Sequence, residues 1–273
     1  MIKIAAPILL LSFLSCSTSQ QKLSSPSISV ADNEIEPIMA PIKNEPIFPL
    51  GVPMIEVDGN YCPNVSETCL DWIDKDATSK SNSGIGHLRC AEFKNPSICL
   101  SPTRKHLHFL MAKFEYPGIE GSYPLVGVNY YQAKSMAEKD GKRLCTEEEF
   151  NFACEGEDIH PYGYGDGFHR DATICNIDKP WVNFNNFSTS TWNDVGGGIY
   201  QAVKSLSDSK CGNLIKHLNG NLDELLDSEH SKNEVLSGGY WGPVRDRCRS
   251  KTRAHGKGFS FYQIGFRECS DIK

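Results

Sequence analysis

The cysteines are the feature that most constrains the fold of this chain. It has 273 residues and 11 cysteines, and no two of them form the C-x-x-C pair that is typical of metal or redox sites. Ten follow residue 60, an even number, as a disulfide framework requires. They are Cys62, Cys69, Cys90, Cys99, Cys145, Cys154, Cys175, Cys211, Cys248 and Cys269. We therefore expect an exported protein whose ten cysteines form disulfides.

The spacing of these cysteines leaves their pairing open. Neighbours in sequence are the first candidates in the N-terminal stretch, and Cys154 and Cys175 flank one loop and could pair. The candidate pairs are Cys62–Cys69, Cys90–Cys99 and Cys154–Cys175.

The eleventh cysteine, Cys16, lies in an N-terminal export signal. Lys3 supplies a minimal positive region, and the apolar stretch 4–14 is shorter than the roughly 20 residues that span a bilayer. Residues 13–16, Phe-Leu-Ser-Cys, resemble a lipobox, in which the cysteine is lipidated and becomes the first mature residue. Ser17 after it favours the outer membrane. An ordinary signal peptide with a chance cysteine is the alternative.

The rest of the chain divides into a tether and a domain. Residues 16–50 are rich in Ser, Pro, Asn and Glu, a composition that cannot bury enough apolar surface to fold. We expect a lipidated, disordered tether there, after a signal peptide of residues 1–15, and a domain at 51–273. The net charge of −6 argues against a nucleic-acid partner.

Local patterns in the domain predict an α+β fold with short elements. The predicted strands are 54–57, ending at the turn pair Asp58-Gly59, and 125–128, 235–240 and 265–268. A helix is predicted over 131–139, and Thr146 with Glu149 forms a capping box that begins a second helix. The basic residues Arg245, Arg247, Arg249, Lys251 and Arg253 alternate. That period of two favours the solvated face of a strand over a phosphate clamp.

Six sequence blocks, in order, resemble a known family. They are PLVGVNYYQAKSMAEKDGKRLCTEEEFNFACEG, PYGYG, CNID, NGNLDELL, VLSGGYW and IGFRE. The chain from about residue 50 to 269 is similar to the formylglycine-generating-enzyme, or sulfatase-modifying-factor, family. The resemblance implies a variant of the C-type-lectin-like α+β fold with much irregular loop.

The same resemblance implies that the family's reaction is absent. The enzyme is a copper(I) oxidase whose metal is held by two cysteines shortly after an R-G-G-S motif, and soft thiolates suit that ion. Here the corresponding stretch, Gly238–Cys248, contains Cys248 alone. We assign no catalytic residue, expect Cys248 in a disulfide and consider copper an unlikely cofactor.

The resemblance also implies two structural calcium sites, built from hard oxygen ligands. The first would use Asn219, Gly220, Leu222 and Glu224, and the second Asn176, Ile177, Asp194 and Gly196. The alternative is that Glu224 and Asn176 only form hydrogen bonds within loops.

Two functions remain in view. The first is a non-catalytic lipoprotein of the cell envelope that binds a protein, peptide or glycan ligand, or acts in envelope assembly. The second is an oxidase of the same superfamily with an altered metal or active site. Two reduced cysteines near each other in 239–248 would favour the enzyme, and a disulfide at Cys248 would favour the binding protein.

We predict that Cys16→Ser releases the protein from membranes, because the variant lacks the thiol that carries the lipid anchor. The measurement is fractionation of cells into membrane and soluble protein. Cys62→Ser is the control, since it also removes one cysteine. A Cys16→Ser variant that stays with the membranes as wild type does would contradict lipidation.

Overall fold

Short strands and two helices form the fold in the residues that the computed structural model describes, 51–74, 89–180 and 202–272. They lie within a single unit, Ile47–Lys273. The first strands are β1 (Met54–Tyr61), β2 (Val65–Ser66), β3 (Cys69–Trp72), β4 (Cys90–Phe93), β5 (Ile98–Cys99) and β6 (Lys105–Ala112). Next come α1 (Tyr130–Lys139), β7 (Arg143–Leu144) and α2 (Glu147–Glu155). The last are β8 (Asp223–Leu226), β9 (Val235–Ser237), β10 (Lys251–Thr252), β11 (Ile264–Phe266) and β12 (Glu268–Asp271).

Two four-stranded sheets carry the core. The first has the order β1-β6-β12-β7 and is antiparallel. The second has the order β10-β9-β8-β11, in which β8 and β11 run parallel. Two small antiparallel ladders, β2-β5 and β3-β4, precede them in the chain. The predicted α+β class is therefore confirmed.

The first strand is longer than its sequence predicts. It continues past Asp58 and Gly59 to Tyr61, paired with β6 along its whole length. A Cβ on Gly59 would lie 2.8 Å from both Glu157 Oε1 and the Phe152 ring. The glycine thus permits close approach between β1 and the end of α2, and the predicted turn there is wrong.

Both helices begin at a capping box. The Asn129 side chain accepts from the Gln132 N–H while the Gln132 side chain accepts from the Asn129 N–H, and Thr146 and Glu149 bond each other in the same way. Each cap contributes about 1 kcal/mol to helix stability. The predicted box at Thr146 is confirmed, as is the first helix, which starts one residue earlier than predicted.

Three predicted strands need correction. Residues 125–128 form no ladder, although they run along Tyr116 and Ile264 through two backbone hydrogen bonds and bury Val126. The strand predicted at 235–240 ends at Ser237, where two glycines follow. The strand predicted at 265–268 is two strands, β11 and β12, which belong to different sheets.

Arg267 lies between those two strands and ties the sheets together. Its side chain is fully buried and donates to both carboxylate oxygens of Glu224 in β8, at 2.6 Å each. It also donates to the carbonyl oxygen of Ala112, at the end of β6, and to that of Lys216. One guanidinium therefore satisfies acceptors from both sheets and from the loop before β8.

All ten cysteines after residue 60 are paired, so the predicted disulfide framework is confirmed. The bonds are Cys62–Cys99, Cys69–Cys90, Cys145–Cys269, Cys154–Cys248 and Cys175–Cys211. The three candidate pairs proposed from sequence proximity are wrong. The two small ladders explain the first two bonds. Pairing of β2 with β5 brings Cys62 close to Cys99, and pairing of β3 with β4 brings Cys69 close to Cys90.

The disulfides are consistent with an exported protein. Among the described residues, no helix is long and apolar enough to cross a membrane. The predicted signal peptide, Cys16 and the tether lie outside the described residues.

We predict that Arg267→Met lowers the free energy of unfolding by roughly 3–5 kcal/mol, because it leaves the Glu224 carboxylate buried without its counter-charge. The measurement is urea unfolding with the disulfides intact. Arg253→Met is the matched control: Arg253 pairs with Glu147 at the exposed surface, where such a pair is worth about 1 kcal/mol at most. Equal losses in the two variants would contradict the role given to Arg267.

Candidate functional site

The loop that follows β9, residues 238–248, is the stretch in which the family resemblance places the copper ligands. Gly238 and Gly239 both have positive φ angles, 84° and 73°. A Cβ on Gly239 would lie 2.1 Å from the carbonyl oxygen of Arg245, so no other residue fits there. This close approach folds the loop back on itself and turns its next side chains inward.

Those side chains fill the interior. Tyr240 and Trp241 are buried and pack with Tyr262, Val126 and Leu222 in one apolar cluster. The rings of Trp241 and Tyr262 stack with centroids 5.9 Å apart. The described residues thus form an aromatic core where the resemblance places the first copper thiolate.

Cys248, at the end of this loop, has no thiol. It is bonded to Cys154 in α2, and its side chain is fully buried. The disulfide expected at Cys248 is present, and the 238–248 loop contains no other cysteine. Since a disulfide sulfur is not a thiolate, the loop offers copper no soft anionic ligand.

The residues of the first predicted calcium site are committed to other partners. Both oxygens of Glu224 accept from Arg267. Asn219 Oδ1 accepts from the Gly163 N–H at 2.8 Å, and the Gly220 carbonyl accepts from the Leu222 N–H. In this arrangement, residues 219–224 do not fit a calcium ion. The geometry matches the alternative, in which Glu224 forms hydrogen bonds within the protein. Calcium binding there stays a prediction that the structure does not favour.

The second predicted calcium site is described only in part, because Asp194 and Gly196 lie outside the described residues. The Asn176 carbonyl accepts from the Asn221 N–H, and its side-chain amide donates to Asn221 Oδ1 at 2.7 Å. The Ile177 N–H donates to the Cys175 carbonyl. Calcium at this site also stays a prediction. Among the described residues, no three acidic, histidine or cysteine side chains are grouped as metal ligands would be.

Asn221 connects that region to a buried acid. Its Nδ2 donates to Glu115 Oε2 at 2.6 Å, while Glu115 Oε1 has no hydrogen-bond partner among the described residues. Burial, and then the nearby charge of Glu224, hold the pKa of Glu115 well above its usual range. Nothing in the sequence around Glu115 marks it as a buried acid.

A cavity of about 480 Å³ lies between β1 and the segment after α2. Its rim is acidic and includes Glu56, Asp58, Glu157 and Asp158. Two of these carboxylates have histidine partners: Glu56 contacts His108 at 2.7 Å, and Asp58 contacts His106 at 2.8 Å.

A second cavity, about 210 Å³, is lined by basic side chains and is named here the arginine pocket. Its basic residues are Arg170, Arg245, Arg247, Arg249 and Lys251, and its other walls include Asp246, Trp72, Phe93 and Tyr162. The prediction that residues 245–253 form a solvated strand face is wrong.

Basic and buried residues do alternate along 245–250, but a strand is not the cause. Residues 245–250 form no strand, and Asp246, Cys248 and Ser250 are drawn into the core while the basic residues between them stay partly buried. The Cys154–Cys248 bond anchors this inward side. The basic side chains consequently face a cavity.

Lys251 is a partly buried cation of this pocket. It donates to Asn151 Oδ1 and Ser237 Oγ, both at 2.7 Å, and to the Cys248 carbonyl. Burial lowers its pKa to about 7. With its acceptors inside the protein, Lys251 supports the wall of the pocket.

Sequence comparison agrees with this architecture. The family model for the sulfatase-modifying factor enzyme 1-like domain matches residues 114–272, more than half of the chain. The chain belongs to the formylglycine-generating-enzyme family. Its fold is accordingly the family's α+β variant of the C-type-lectin-like fold. A search of curated protein sequences finds no match.

Three solved structures are similar to the chain. PvdO from Pseudomonas aeruginosa is 12% identical, with a TM-score of 0.48, covering 80% of this chain and 94% of PvdO. CarF is 13% identical, with a TM-score of 0.48, covering 81% of this chain and 100% of CarF. Treponema denticola variable protein 1 is 13% identical, with a TM-score of 0.43, covering 79% and 99%.

Glu234, just before β9, is a buried acid of this formylglycine-generating-enzyme-like domain. Its side chain is inaccessible to solvent, and neither carboxylate oxygen has a hydrogen-bond partner among the described residues. Burial, and then the charge of Asp223, raise its pKa from 4.5 to about 7. The folded state therefore retains this proton at pH values where the unfolded chain releases it. The resulting stability is present below pH 4.5 and is lost as pH rises through 7.

We predict that the free energy of unfolding falls less between pH 5 and pH 8 in Glu234→Gln than in wild type. The two decreases differ by about 1–3 kcal/mol, because glutamine carries no charge at either pH. The measurement is urea unfolding at both pH values. Asp158→Asn, at the exposed rim of the larger cavity, is the control and should follow wild type. Parallel pH profiles for wild type and Glu234→Gln would show that Glu234 does not titrate in this range.

Proposed function

We propose that this protein is an exported, lipid-anchored member of the formylglycine-generating-enzyme family that binds a ligand and does not oxidise cysteine peptides. The observation that carries the proposal is the Cys154–Cys248 disulfide, which converts the one cysteine of the 238–248 loop into part of the scaffold.

The chemistry of copper explains why this observation matters. Oxygen activation at copper(I) needs a metal held by soft ligands, with an open position for the substrate thiolate. In the 238–248 loop, Tyr240 and Trp241 are packed in the core, and Pro243 has no backbone N–H to donate to a bound peptide. None of these groups replaces a thiolate, so the loop supports a structural role.

The proposed cellular location rests on the signal peptide, the lipidated cysteine and the tether that the sequence predicts. A lipid on Cys16 and a tether to residue 50 would hold the domain off the envelope membrane, with the outer membrane as the proposed site. The five disulfides favour the oxidising side of that membrane. A protein, peptide or glycan of the envelope is the ligand class that this position supports, and a role in envelope assembly is compatible with it.

We predict that the purified full chain does not convert a cysteine in a sulfatase-type peptide to formylglycine, even with copper supplied, because it has no thiolate pair to hold the metal. The measurement is mass spectrometry of the peptide after incubation under oxygen. Less than about one-thousandth of the turnover of a competent family enzyme is expected, as is typical when the groups that make up a catalytic site are removed.

Two controls make this assay decisive. A competent formylglycine-generating enzyme in parallel shows that copper, oxygen and peptide are adequate. The double variant Cys154→Ala, Cys248→Ala removes both sulfurs without leaving a free thiol. Copper-dependent turnover by wild type that disappears in the double variant would overturn the proposal and restore an oxidase with an altered site.

A further inference from the structure

The arginine pocket contains two kinds of arginine, which differ in how many of their donors the protein uses. A guanidinium carries five N–H donors. Arg249 donates to both oxygens of Glu155 and to the carbonyls of Pro63 and Cys62. Arg170 is held in a similar way by Asp178, Asp246 and the Val244 carbonyl. These two side chains are fixed parts of the wall.

Arg245 and Arg247 are not saturated. Among the described residues, the Arg245 guanidinium donates to Asp223 Oδ1, at 3.4 Å, and its buried Nε has no acceptor. The Arg247 guanidinium pairs with Glu67 through one nitrogen and lies 5.9 Å above the centre of the Phe93 ring. Both side chains line the pocket, two residues apart on one side of the chain.

A buried donor without an acceptor costs about 1–3 kcal/mol, and the Nε of Arg245, a residue that lines the pocket, is such a donor among the described residues. The N–H donors of a guanidinium match the oxygens of a carboxylate, sulfate or phosphate group, which accept in pairs. The cavity, about 210 Å³, is smaller than the 300–1,000 Å³ typical of sites that enclose whole small molecules. It therefore has room for one charged group of a larger ligand.

The carboxylates nearby leave the pocket wall basic. Glu67, Glu155, Asp178 and Asp223 pair with the arginines but do not line the cavity. Asp246 does line it, and one of its oxygens is held by Arg170. Burial raises the pKa of Asp246 to about 7, which weakens its repulsion of an anion at neutral pH.

We propose that the arginine pocket is an oxyanion-binding site, in which Arg245 and Arg247 hold a sulfate, phosphate or carboxylate group of the ligand. The inference rests on the proposed binding function, whose ligand class it narrows to anionic molecules. Its test involves no peptide oxidation, so the two proposals can fail separately.

The experiment titrates the full-length, 15N-labelled protein with sodium sulfate, phosphate or acetate and follows the arginine Nε–Hε signals by NMR. Sodium chloride at equal ionic strength is the blank. We expect saturable shifts of the Arg245 and Arg247 signals, with a dissociation constant on the order of 1 mM for the preferred ion. The three ions identify which oxyanion the pocket prefers.

The variants Arg245→Gln and Arg247→Gln should each weaken binding by about tenfold or more. Arg253→Gln, an exposed arginine outside the pocket, should bind as wild type does. Arg245→Lys and Arg247→Lys keep the charge and should bind with intermediate affinity, which separates loss of binding from loss of folding. Shifts that grow linearly without saturation, or that match those in chloride, would overturn the proposal, as would equal affinity in wild type and the glutamine variants.

Discussion

The rest of this fold depends on the ion pair and hydrogen bonds of the buried Arg267 guanidinium. It lies where the chain leaves the second sheet and enters the first, and it bonds to Glu224 in the second sheet and to Ala112 at the end of β6 in the first. A charge placed in such a position is stable only while its acceptors are all present. The same pair also decides the chemistry nearby, because the carboxylate that the family resemblance offers to calcium is already neutralised.

Local sequence signals predicted the parts of the fold that local forces determine. The capping box at Thr146 and the helix around Ala133 depend on residues three and four positions apart, and both are present. The even number of cysteines predicted a full set of disulfides. Their pairing could not be predicted, because Cys145 meets Cys269 across 124 residues through sheet register that no nearby residue encodes.

The same difference between local signals and contacts of distant residues applies to the candidate site. The resemblance located the 238–248 loop and predicted a disulfide at Cys248, since both follow from which residues stand in a motif. The arginine pocket did not emerge from the sequence. An alternation of basic and other residues looks the same whether the basic side faces water or a cavity, and here Trp72 and Phe93, from a distant ladder, close the other side. Buried acids such as Glu115 and Glu234 were missed for the same reason.

The position of β12 has a consequence for how the protein is made. This last strand is not at an edge: it lies between β6 and β7 and pairs with both. The chain leaves a ribosome or an export channel with its amino end first, so the first sheet has a gap in its middle until residues beyond 268 have emerged. Until then Cys145 has no partner and β6 has an open edge, which is prone to pair with other chains. The first sheet can therefore form completely only once β12 is available. A chain truncated before β12 would lose an interior strand of that sheet and not an edge strand.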